Sequence, residues 1–171
     1  MSPASPAVIV RRTTEDDWQG MRDLRFQMLA DTPLAYLESL DDARLHGEAH
    51  WRAQAARGSS EESITVVAVA EDGRFVGTMG AYLPTPAAGP TLVAVYVDPA
   101  YRGRGAGVTD RLLDAIEAWA APRGGTLTLE VHEQNARARA AYEHRGFIAT
   151  GAFTPYALNP VFRDLEMIKQ V

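Results

Sequence analysis

Apolar and polar positions recur along the chain in two periods, and the switches between them mark its elements. Residues 8–11 predict a short strand. Thr13, Thr14, Glu15 and Asp16 then open a helix with a threonine cap and early acids, and Trp18, Met21, Leu24, Met28 and Leu29 fall along one side of it. Asp31-Thr32-Pro33 stops that helix, and a second is predicted over residues 41–57. Strands at 64–70 and 74–82 flank Asp72-Gly73, a strong hairpin signal. Residues 91–97 form a nearly continuous apolar run, as in a strand buried on both faces, and lead through Asp98-Pro99 into a glycine-rich turn. Val108, Leu112, Ile116 and Trp119 then recur at helical intervals. Leu127, Leu129 and Val131 alternate with Thr128, Glu130 and His132, which is strand periodicity; 135–145 is helical, and 147–153 and 162–168 are closing strands. The expected class is α/β (α+β): a β-hairpin followed by strand–helix–strand–helix–strand units on a mixed, largely antiparallel sheet with flanking helices.

Composition narrows the function. The 171 residues suit one domain spanning 1–171, and the Pro/Gly-rich stretches at 84–90 and 155–160 are too short for interdomain linkers. Cysteine is absent, which removes disulfides, thiolate metal sites and an acyl-cysteine intermediate, so a transferred group must pass directly between bound partners or through another nucleophile. No run approaches the roughly 18 apolar residues of a membrane span, and MSPASPAVIV lacks the basic and long apolar regions of a signal peptide; the expectation is a cytoplasmic protein without membrane partners. A net charge of −5 disfavours nucleic acid and suits a cationic substrate. A homodimer is compatible with all of this.

The most informative segment is VAVYVDPAYRGRGAGVTDRLLDAIEAWA, residues 93–120. A buried strand that delivers Gly103, Gly105 and Gly107 to a helix start makes a concave set of N–H donors at the positive end of a helix dipole, an anion site. Arg102 and Arg104 add charge-assisted donors fit for a pyrophosphate or a 3′-phosphate. A plain tight turn is the competing account. The triphosphate loop and the dinucleotide fingerprint are both absent, since Gly105-x-Gly107 is followed at the required place by Asp110.

This segment resembles the acetyl-coenzyme A signature of the GNAT superfamily of N-acetyltransferases, [Q/R]-x-x-G-x-[G/A] between a Val-x-Pro strand end and a helix with paired leucines. Two frames fit: Arg102, Gly103, Arg104, Gly105, Ala106, Gly107 keeps the distance from Pro99, while Arg104, Gly105, Ala106, Gly107, Val108, Thr109 keeps the distance to Leu112-Leu113 but sets Thr109 where Gly or Ala belongs. A second segment, TLTLEVHEQNARARAAYEHRGF at 126–147, is similar to the family's L-x-L-x-V-x-x-x-N-x-x-A-x-x-x-Y-x-x-x-G-F, with Asn135, Ala138, Tyr142, Gly146 and Phe147 in place. The resemblance implies an acyl-CoA N-acyltransferase fold, acetyl-CoA as co-substrate without a metal, and direct transfer to a primary amine.

It also implies site roles. Pantetheine would pair with backbone at Val95, Tyr96 and Val97 where two parallel strands splay, an N–H near Val97 would meet the developing oxyanion, and Asn135 would bond the cofactor arm or simply cap its helix. Tyr142 resembles the residue that protonates the departing thiolate; a core aromatic is the alternative. An alkyl ammonium has a pKa near 10.4, so about one molecule in two thousand is nucleophilic at pH 7 and a base helps. Glu130 is the first candidate, on the strand face opposite Leu127, Leu129 and Val131, with His132 in reserve and an ordinary surface carboxylate as the bland account. The stretch 15–48 holds nine carboxylates against three arginines, either a solvated face or the lining of an amine entrance. In the family the first two helices and their connection shape the acceptor site, which singles out Tyr36 and Glu38. His46 and His50, four apart, look like a two-histidine metal site, but Glu48 stands at the wrong offset from His46 for a zinc peptidase, and Gly47 weakens the helix. The expected function is acetylation of a small-molecule amine; a protein N-terminus or lysine as acceptor, and a noncatalytic acyl-CoA sensor, are the alternatives.

Overall fold

The computed structural model describes residues 7–103 and 105–171. Among them seven strands form one sheet in the order β1 (Val8–Arg12), β2 (Ser63–Ala70), β3 (Phe75–Tyr82), β4 (Thr91–Val97), β5 (Thr126–His132), β7 (Arg163–Gln170), β6 (Ile148–Pro155). Each neighbouring pair is antiparallel except β4 and β5, which run parallel. The mixed, largely antiparallel sheet read from the sequence is the one the chain forms.

Two hydrophobic cores cover the two faces. On one, α4 (Val108–Ala120) sets Val108, Leu112, Leu113, Ile116 and Trp119 against Leu127, Leu129, Val131 and Phe147, and α5 (Ala136–His144) adds Ala138 and Tyr142. Leu112, Ile116 and Leu127 are fully buried, and burying each such side chain is worth about 1.5–3 kcal/mol. Close approach of α4 depends on Gly77 in β3, where a Cβ would stand 3.2 Å from Leu112 Cδ1. On the other face α1 (Trp18–Asp31), α2 (Leu40–Arg44) and α3 (Glu48–Ala56) pack Leu24, Met28, Leu29 and Trp51 with Tyr36 and Tyr96.

The single helix expected over 41–57 is two helices. Ser39 caps α2 by accepting the Asp42 N–H, and Gly47, in extended backbone, starts α3. Glycine costs about 1 kcal/mol relative to alanine inside a helix, so the break falls where continuing is least favourable. The Trp51 indole N–H donates to the freed His46 carbonyl at 3.2 Å, which ties the break to the core.

A β-bulge in β4 positions the site. Thr78 pairs with Tyr96 and Gly80 with Val93, so Met79 alone faces two residues, and Ala94 adopts φ +53°. The extra residue inverts the inside-outside alternation partway along the strand. Leu92, Val95 and Val97 then share the α4 core, while Ala94 and Tyr96 turn to the α1 side.

Candidate functional site

Below the bulge the two parallel strands part. Thr91 opposite Thr128 is the one register pair between β4 and β5, supported by the Thr128 N–H donating to the Pro90 carbonyl at 3.0 Å. Past Thr91 the strands splay, as expected for Val95 to Val97, and leave β4 backbone groups without a ladder partner. Side chains take two of them. The Tyr36 hydroxyl donates to the Val95 carbonyl at 2.7 Å, and the Tyr156 hydroxyl braces the Tyr36 carbonyl at 3.2 Å. The Arg102 Nε donates to the Val97 carbonyl at 2.6 Å, while the same guanidinium pairs with Asp31 at 2.5 Å and lies over the Tyr96 ring. In this arrangement the Arg102 side chain serves a strand-end carbonyl and fastens the end of α1 to it. Arg104 lies outside the described residues.

The anion site expected from the sequence would draw on backbone. Gly107, at φ +62°, is the residue before α4, and Val108, Thr109 and Asp110 form the helix's first turn, whose N–H groups have no partner within the helix. Gly103 and Ala106 close a turn ahead of it, and a Cβ built on Gly103, Gly105 or Gly107 would meet open space. The frame ending at Thr109 places the free amides at the helix start, and the frame ending at Gly107 supplies the turn that presents them.

A cavity of about 510 Å³ lies on the α1 side of the splay. Its lining includes Tyr36, Glu38, His50 and Trp51 from the helical layer, and Ala94, Glu130, His132, Tyr156 and Asp164 from the sheet and its connections. Glu38 was expected to meet the acceptor, and it is held at 2.9 Å by Arg25 and 2.7 Å by His46. Burial opposes its ionisation, but these two partners outweigh burial and hold the carboxyl below its usual value. His46 stacks on His50 at 3.7 Å, and burial, with the neighbouring His46 acting in the same direction, lowers the His50 pKa.

The remaining expected residues divide by burial. Glu130 is exposed at the cavity wall and accepts the Thr154 hydroxyl at 3.2 Å. His132 is 3% exposed, with its ring edge-to-face on Tyr156 at 4.6 Å. Its Nδ1 accepts the Gln134 N–H, so the neutral imidazole carries its proton on a buried Nε2 that has no partner among the described residues. Asn135 caps α5 by accepting the Ala138 N–H at 3.2 Å, as the simpler reading had it. Tyr142 packs edge-to-face on Phe147. Burial pushes its phenol well above the ordinary value, and coupling to the neighbouring Tyr36 adds to the shift; Tyr36 itself is pushed up to about 12 by burial. Both tyrosines hold their protons at neutral pH, and they sense each other across the splay. Asp164 and Tyr156 are residues that sequence reasoning passed over. The alternation of Asp164 and Glu166 against Leu165 and Met167 marks the polar face of the last strand, but the β5–β7 register that sets Asp164 opposite His132 is a non-local fact.

The model of the Acetyltransferase (GNAT) family matches residues 24–147. A mycothiol acetyltransferase from Beutenbergia cavernae is 39% identical over 89 residues, 51% of this chain and 29% of that protein, so the matching region spans under a third of that relative. An uncharacterized N-acetyltransferase of Bacillus subtilis, YhfO, is 32% identical over 109 residues, 61% of this chain and 71% of its own. Among solved structures, the PaiA N-acetyltransferase of Thermoplasma acidophilum in complex with coenzyme A superposes with a TM-score of 0.74 at 17% identity, covering 96% of this chain and 99% of that one.

Proposed function

This chain belongs to the GNAT family of acetyltransferases, and on that premise we propose that it moves the acetyl group of acetyl-CoA directly to the primary amine of a small molecule within a ternary complex. The observation that carries the reading is the splay between β4 and β5, with the glycine-led start of α4 on one side and a cavity of about 510 Å³ on the other. That volume is in the range of small-molecule sites, roughly 300–1,000 Å³.

The residues present fit the co-substrate. Amides of the first turn of α4, preceded by Gly103, Gly105, Ala106 and Gly107, would hold its pyrophosphate, with Arg104 as an added cation. Backbone of Val95, Tyr96 and Val97 and the side-chain amide of Asn135 would hold the pantetheine arm. Acetyl-CoA supplies an activated thioester. Tyr142 keeps its proton at neutral pH and donates it to the sulfur as the thiol leaves. On the acceptor side, Tyr36 shapes the cavity and Glu38 anchors Arg25 and His46 within it. Glu130, at the exposed wall, accepts protons and passes them to solvent.

Thiol release from acetyl-CoA against polyamines, amino acids, aminoglycosides and lysine peptides tests the acceptor class. The highest kcat/KM is expected on a small amine. A peptide exceeding every small amine would move the acceptor to proteins, and no release with any amine would favour a noncatalytic acyl-CoA sensor.

A further inference from the structure

On the sheet face that bears the cavity, β5 and β7 set Glu130 opposite Glu166 and His132 opposite Asp164. The two glutamates are served by β6 hydroxyls, Glu130 by Thr154 at 3.2 Å and Glu166 by Thr150 at 2.8 Å. Asp164 differs. It is only 9% exposed, it lines the cavity, and among the described residues no donor or cation bonds its carboxylate. Buried carboxylates are ordinarily paired or hydrogen-bonded, because an unpartnered buried charge is costly.

We propose that Asp164 receives the ammonium group of the acceptor amine and takes its proton, an assignment that rests on the transfer reading above. One N–H bond of the ammonium breaks, an O–H bond forms on a carboxyl oxygen of Asp164, and the electron pair left on nitrogen becomes the nucleophile. His132 cannot take that proton in its neutral form, since Nδ1 is occupied by the Gln134 N–H and Nε2 already carries hydrogen. Glu130 is exposed to solvent and already accepts the Thr154 hydroxyl. The groups around Asp164 are His132 and Glu130 from β5, Glu166 on its own strand, and Tyr156 from the β6–β7 connection, with Tyr36 behind Tyr156. Burial raises the Asp164 carboxyl above the ordinary aspartate value, with His132 acting in the opposite direction, so the group is a better proton acceptor than a solvated aspartate.

The test uses n-butylammonium chloride as probe and n-butanol as its uncharged control, followed by tryptophan fluorescence because Trp51 lines the same cavity. Wild type, Asp164→Asn and Glu166→Gln are titrated with and without coenzyme A. Saturable n-butylammonium binding is expected in wild type, at least tenfold weaker in Asp164→Asn and within threefold in Glu166→Gln, with n-butanol unchanged in all three. On the best amine of the thiol-release panel, Asp164→Asn should lower kcat/KM at least 100-fold and remove the acidic limb of its pH profile; Glu166→Gln should lower it less than tenfold. The melting temperature of Asp164→Asn should equal or exceed wild type, since the neutral isostere sheds a desolvated charge. Binding within twofold of wild type in Asp164→Asn, or no saturable binding in wild type, overturns the assignment. A lowered melting temperature that accounts for the loss also overturns it, in favour of a structural role. The ammonium titration reads Asp164 even if no amine on the panel is acetylated, so failure of the transfer reading and failure of this assignment are separate results.

Discussion

Tyr142→Phe should reduce turnover on the best acceptor by about 10²–10⁴-fold, the usual worth of one general acid, with coenzyme A affinity and melting temperature near wild type. The ring stays, so its edge-to-face contact with Phe147 and its packing against the α4 core are kept; only the hydroxyl goes. No hydrogen bond within the described residues depends on that hydroxyl, so its removal leaves no orphaned partner. Because burial raises its pKa, the phenol is protonated across the whole working range, and the loss should be independent of pH between about 6 and 9. A drop in kcat without a change in cofactor affinity is the pattern of an interaction made in the transition state. Wild-type turnover in the Phe variant, with the chemical step shown to be rate-limiting, would return the acid role to water.

Gly105→Glu should weaken coenzyme A binding on the order of 100-fold. A carboxylate about 5 Å from a phosphate at an effective dielectric near 20 costs about 3 kcal/mol. The two glycines of this turn are not equivalent as test sites. A side chain at Gly107 would have to adopt φ +62° at the start of α4, so a loss there mixes strain with repulsion. At Gly105 a Cβ would enter open space, so the fold should carry the substitution. The melting temperature should stay within about 2 °C of wild type. Unaltered binding at low and high salt alike would place the phosphates elsewhere.

The fold was legible because its signals are local. Leu127, Leu129 and Val131 alternate in the strand period, and Val108, Leu112, Ile116 and Trp119 recur in the helical one; the structure buries all seven. The glycine turn and the tyrosine helix were legible as motifs. What escaped depends on contacts between distant residues. Arginine beside glycine is a phosphate pattern, but that the Arg102 side chain meets the Val97 carbonyl and Asp31 of α1 depends on the splay and on the packing of α1. The bulge at Ala94 has no glycine to announce it. Glu38 was a free carboxylate in the sequence; in the fold Arg25 and His46 converge on it, so it supports the cavity wall rather than presenting a bare charge. Asp164 was one acid in a closing strand until the β5–β7 ladder brought it beside His132.

The central claim is that the helix start of α4 and the parted strands β4 and β5 together bind acetyl-CoA. Calorimetric titration of the wild-type protein tests it most directly. A single site per chain with a dissociation constant in the micromolar range is expected for coenzyme A and acetyl-CoA alike, weakened by salt as a phosphate contact requires. No heat of binding from either ligand up to about 1 mM, a ceiling worth only about 4 kcal/mol of affinity, would contradict the account.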